Sequence, residues 1–160
     1  MSHVLPAPKA VKDLFDDLLG RPVTVNPADP MKAADVPNTL VALYTDDRLQ
    51  LMAVIGMDFA LTANAGAAIG LIPPGGAEAC IEDKVISKMI GENAGEICNI
   101  LAGLINKEDA PRVKLHQVFL PGENPPADAV NYLLALGRRL DLRVDVSGYG
   151  GGKLSVTLTA

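Results

Sequence analysis

Residues 57–71 constrain this chain more than any other segment. The stretch is Ala-rich, which favours helix, and it is apolar on nearly every side. A helix without a polar face has to be buried all round. Asp58 near its start and Pro73-Pro74 beyond its end keep it short of the ~18 consecutive apolar residues that a membrane-spanning helix needs. The chain itself must therefore supply the elements that cover it.

The remaining patterns supply that cover. Residues 9–19 place Val11, Leu14, Phe15, Leu18 and Leu19 at i, i+3, i+4, i+7 and i+8, an amphipathic helix stopped by Gly20. Residues 21–25 read as a short strand, and 39–44 with 49–55 as a hairpin around Thr45-Asp46-Asp47-Arg48. The longest helical pattern covers 81–105. A strand at 113–120 ends in Pro121-Gly122, and Pro125-Pro126 leads into a helix over about 127–140. Alternating strands at 142–146 and 154–158 are joined by a glycine-rich loop. With no internal repeat or linker, the pattern predicts one α+β domain over 1–160 with a largely antiparallel sheet. Two long helices, about 57–71 and 81–105, pack on one face of it.

Composition removes several functions. A domain of 160 residues buries about 68–70% of its unfolded surface and needs neither disulfides nor a structural metal to fold. Fourteen basic residues against 19 acidic ones give a net charge of −5, which argues against binding a phosphate backbone. The six aromatics lie far apart in the sequence and form no base-stacking platform. Nucleic acid and membrane are thus excluded as partners. Two cysteines, Cys80 and Cys98, are too few for a disulfide framework and point to a reducing compartment. Residues 1–9 lack the apolar core of a secretory signal, so the expected location is cytoplasmic.

On a helical wheel, Ile86, Ile90, Ala94, Ile97, Leu101, Leu104 and Ile105 gather on one broad face that packs on the sheet. Opposite them, Glu92, Glu96, Asn99 and Gly103 fall at i, i+4, i+7 and i+11, within roughly 60° of one another. Local stability does not select this stripe. Two carboxylates at i, i+4 repel, and a helical Gly costs about 1 kcal/mol relative to Ala. A solvated helix face is the plain explanation. The sharper one is that Glu96 and Asn99 present a charged acceptor and a neutral amide together to a partner. Gly103 would then let another backbone come close, and the amide could orient a water without ionising.

The run Glu92-Asn93-Ala94-Gly95-Glu96-Ile97-Cys98-Asn99-Ile100-Leu101-Ala102-Gly103 resembles the signature helix of the CheC/CheX/FliY phosphatase family. Members carry Glu-x-x-Asn on a long helix, with Asp or Ser four residues before the Glu and a Pro roughly 20 residues after the Asn. Here Glu92 and Pro121 stand at those two positions. The resemblance is strongest over 36–122. The single Glu-x-x-Asn is similar to CheX, because CheC proteins carry two. The helix near 127–140 is not expected in a minimal CheX-like chain.

The resemblance implies a chemotaxis or other two-component signalling protein that hydrolyses the aspartyl phosphate of a CheY-like response-regulator receiver domain. Asn99 would orient the attacking water and Glu96 would pair with the partner's Lys. Glu92, Gly103 and Pro121 would contact that partner. The receiver supplies the phosphate and its Mg²⁺, so this chain needs no cofactor or metal of its own, and family analogy implies a homodimer. The alternative is a non-catalytic relative that docks a receiver domain or a flagellar-switch component.

Other features carry less. His3 and His116 have no ligand spacing for a metal, and Cys98 points to the packing face as a small core residue. Cys80 is expected in a loop. The glycines of 148–152 before Lys153 miss the phosphate-loop pattern, because Ser147 stands where its first Gly belongs and Leu154 follows the Lys.

Overall fold

A computed structural model describes residues 3–106 and 110–159. Met1, Ser2, residues 107–109 and Ala160 lie outside the described residues, and with them the first two positions of the N-terminal segment read above. Helix α1 (Pro8–Leu19) buries Val11, Phe15 and Leu19 and ends at Gly20, whose φ of 68° is the left-handed conformation that favours glycine. Strand β1 (Val23–Pro27) follows, then a 3-10 turn (Ala33–Asn38) and the hairpin β2 (Thr39–Thr45) and β3 (Leu51–Asp58). The carboxylate of Asp46 closes the hairpin turn by accepting from Arg48 N–H and Gln50 N–H.

Helices α2 (Phe59–Ile69), α3 (Pro74–Asp83) and α4 (Lys88–Ile105) come next. Strand β4 (Lys114–Phe119), helix α5 (Ala127–Leu134), and strands β5 (Arg139–Val146) and β6 (Gly150–Leu158) complete the chain. All strands join one antiparallel sheet in the order β1-β5-β6-β3-β2-β4. The predicted α+β class is therefore the observed one.

The sheet is covered on both faces, and β2 shows how. Leu40, Ala42 and Tyr44 point into the main core with α2, α4 and α1. Val41 and Leu43 point the other way, into a second core with Met31, Ala129 and Leu133. Every residue of β2 is buried, which follows from period-2 alternation between two covered faces. Helix α5 makes the second cover, and it sits close. A Cβ on Gly56 would lie 2.9 Å from Leu133 Cδ1. The helix stops at Leu134, short of the expected 140, because Arg139 Nη1 donates to the carbonyls of Leu133 and Ala135 and terminates it.

Other parts of the structure also differ from the sequence reading. The predicted helix over 81–105 is two helices. Lys84 takes a left-handed φ of 57° that ends α3, and Ser87 caps α4 by accepting from Ile90 N–H. Residues 57 and 58 of the predicted 57–71 helix belong to β3, with Asp58 capping α2 through Leu61 N–H. Cys80 lies on α3 and is buried, not in a loop. The glycine-rich loop is also smaller than expected: Val146 pairs with Gly150, so Gly150–152 are strand. A side chain at Gly152 would run into the Asp58 carboxylate, so the missing side chain is what lets β6 pass beneath the start of α2.

Candidate functional site

Helix α4 is the element on which the candidate site stands. Its 18 residues span about 27 Å. Ile90, Ala94, Ile97, Cys98, Leu101, Leu104 and Ile105 are buried, while Glu92, Glu96, Asn99 and Gly103 are all exposed. The structure thus places the four on one outward stripe. Among the described residues, none of the side chains of Glu92, Glu96 and Asn99 has a hydrogen-bond or ion-pair partner within the chain. Pro121 stands in the turn after β4. Leu120 before it lies against Gly91, where a Cβ would be 3.1 Å from Leu120 Cδ1, and Gly122 N–H donates to Pro37 O. Pro121 is thereby held near the Glu92 end of the stripe.

The two glycines of the stripe region are not explained by packing. A Cβ at Gly95 or at Gly103 would meet nothing within 4 Å. Each nevertheless costs helix stability relative to Ala. Gly95, beside the stripe on the wheel, was not singled out from the sequence. A glycine in a helix interior that no internal contact requires is the signal that would have found it.

What holds the stripe in place is also visible. Tyr44 of β2 is fully buried, and its hydroxyl donates to Cys98 O at 2.6 Å, tying the sheet directly to the turn between Glu96 and Asn99. Burial pushes the Tyr44 phenol well above its ordinary range, with the neighbouring Cys98 adding to it, so the group stays a neutral donor. Sequence pattern alone does not reveal this contact, because the residues are 54 apart. Asn93 is structural, unlike Asn99: its amide donates to Gly66 O on α2 at 2.9 Å. Burial raises the Cys98 thiol to about 12, which suits a core residue and not a nucleophile.

Helix α2 offers no equivalent stripe. It repeats the Asn-Ala-Gly of α4 at Asn64-Ala65-Gly66. The positions matching Glu96 and Asn99 are Ala67 and Gly70, and Ala67 is buried. Asn64 is itself buried, and its amide donates to Gly151 O.

No cluster of three or more His, Cys, Asp or Glu among the described residues could hold a metal ion. His3 is buried, and its Nε2–H donates to Pro111 O, while His116 is exposed on β4. Among the described residues, no helix is long and apolar enough to cross a membrane. Beside Asn99 a depression of about 470 Å³ opens between the second half of α4 and residues 112–115.

Six antiparallel strands with this helix pair on one face are shared with known structures. The chain matches FliY of Thermotoga maritima with a TM-score of 0.54 at 14% identity, over 96% of this chain and 85% of that one. It matches the chemotaxis protein CheX of Desulfovibrio desulfuricans with a TM-score of 0.52 at 13% identity, over 94% of each chain. The chain has the CheC/CheX/FliY fold. FliM from H. pylori, in its complex with FliG, is similar too, with a TM-score of 0.51 at 7% identity over 94% of this chain and 85% of that one. No family model and no curated protein sequence matches the chain. The CheX-like framework therefore rests on backbone geometry.

Proposed function

We propose that this CheX-like protein hydrolyses the aspartyl phosphate of a CheY-like receiver domain. The observation that carries the reading is the pair Glu96 and Asn99, exposed three residues apart on α4 with no partner of their own among the described residues. The receiver brings the phosphoaspartate, its Mg²⁺ and its Lys. Asn99 enters that site and orients a water in line with the P–O bond. Glu96 pairs with the Lys and fixes the approach. Phosphoryl transfer depends mainly on positioning and charge stabilisation, so a neutral amide and one ordinary carboxylate are sufficient equipment. Glu92 and Pro121 border the contact, Gly103 admits the partner's backbone, and the protein acts as a homodimer in the cytoplasm.

The test is phosphate release from a phosphorylated receiver in Mg²⁺, with and without the protein. Acceleration over receiver autohydrolysis is expected, and it should be lost in Asn99→Ala, whose side chain supports nothing in the fold. Absence of acceleration across the receivers of the same genome overturns the proposal. A second reading is favoured by one observation: the backbone is as close to FliM as to CheX. On that reading the stripe docks a receiver or flagellar-switch component without turnover. Tight binding of a beryllofluoride-loaded receiver with no hydrolysis would select it.

A further inference from the structure

Arg112 and Lys114 take no part in the chemistry proposed for Asn99 and Glu96, yet they form the far wall of the depression on which Asn99 opens. Both are exposed, and among the described residues neither makes an ion pair. Their placement is built. Asn106, which caps α4, accepts from Val113 N–H at 2.7 Å and donates its amide to Val113 O at 3.1 Å. Val113 is buried in the main core. This clamp holds the two cations flanking Val113 against the C-terminal half of α4. Lys114 also borders Asp46 and Asp47, but among the described residues it forms an ion pair with neither.

Among the described residues, the charge beside α4 consequently changes sign at Asn99. Glu92 and Glu96 lie within about 10 Å on one side, and Asn106, beside the two cations, lies about 10 Å away on the other. We propose that Arg112 and Lys114 are the positive half of a two-sign docking surface. They receive carboxylates of the phosphorylated receiver next to its phosphoaspartate, while Glu96 takes its Lys. A partner with one acidic and one basic flank then has a single favourable orientation, with its phosphate over Asn99. In a chain of net charge −5, this local reversal also draws an acidic partner to the right place. The inference rests on the proposed receiver partner but not on turnover.

Cations near the last carbonyls of α4 also suit the helix dipole, so the test needs a readout that stability does not move. Binding of a beryllofluoride-loaded receiver and phosphate release are measured for the wild type and for Arg112→Glu/Lys114→Glu, at low and high NaCl, alongside thermal unfolding. Reversal should raise Kd and KM about tenfold, leave kcat within twofold, and flatten the salt dependence seen in the wild type. Arg112→Lys/Lys114→Arg should restore wild-type affinity. An unchanged Kd with a folded double variant overturns the docking role. Equal loss of kcat and stability overturns it too, because the pair would then be structural. A wild type that binds without hydrolysis removes the phosphatase reading alone. A wild type that binds no receiver removes both.

Discussion

The contact between α2 and α4 makes a sharp prediction, because one helical glycine lies in it and another, on α4, lies outside it. A Cβ at Gly66 would lie 2.8 Å from Ile90 O and from Ile90 Cγ2. The carbonyl belongs to the backbone of α4 and cannot rotate away. The helices must separate by about half an ångström, or the added methyl must stay compressed, which typically costs 1–3 kcal/mol. Gly95 on α4 has no neighbour within 4 Å of the same added atom. Gly95→Ala should therefore gain the helix-propensity term of roughly 0.5–1 kcal/mol. Gly66→Ala gains the same term and then loses more than it gained. Propensity cancels in the comparison, leaving the two variants about 1–3 kcal/mol apart, toward the upper end because the contact is with backbone. For a chain of this size that is a separation of about 2–12 °C in Tm. Urea unfolding followed by circular dichroism, fitted with one shared slope, reads it directly. If Gly66→Ala is as stable as Gly95→Ala, the close approach of α2 to α4 is not the reason glycine stands there.

Two further perturbations follow from buried polar contacts. Tyr44→Phe removes the hydroxyl that donates to Cys98 O and should cost about 1–2 kcal/mol in urea unfolding. Thermal unfolding of the variant should still be cooperative, because the ring itself keeps its place in the core. Asp141 is paired with Arg139 at 2.8 Å, both side chains nearly buried. Burial pushes its carboxyl up, but hydrogen bonds from Arg139 and Ser155 outweigh that and hold it below its ordinary 3.8. The folded state thus binds protons less readily than the unfolded state. The stabilisation is present above the ordinary value and lost as pH falls through the lowered one. The urea midpoint of the wild type should drop on acidification from pH 5 to 3. Asp141→Asn should start about 3 kcal/mol lower at pH 7 and show a shallower drop, and an identical acid limb would refute the assignment.

Much of this protein was legible in its sequence for a physical reason: periodicity reports which side of an element faces a core. The largely apolar 57–71 segment had to be enclosed, and Leu61 to Ala68 are buried without exception, whereas Gly70 and Leu71 at its end are exposed. The Glu92, Glu96, Asn99, Gly103 stripe had to point outward once Ile90, Ile97 and Leu101 pointed in, and it does. Other features had no local signature. The break between α3 and α4 uses Lys84 in a left-handed conformation at a position where sequence gives neither Gly nor Pro, although Ser87 was a readable start signal. The length of α5 depends on Arg139 reaching back to its last carbonyls. The hydroxyl of Tyr44 beneath the stripe and the cations beside it join residues distant in the chain. Sequence by itself determined most of the elements, their buried faces and the outward carboxylate and amide. Tertiary structure alone decided what stands next to them, because a wheel describes one helix and a site is made where several elements meet.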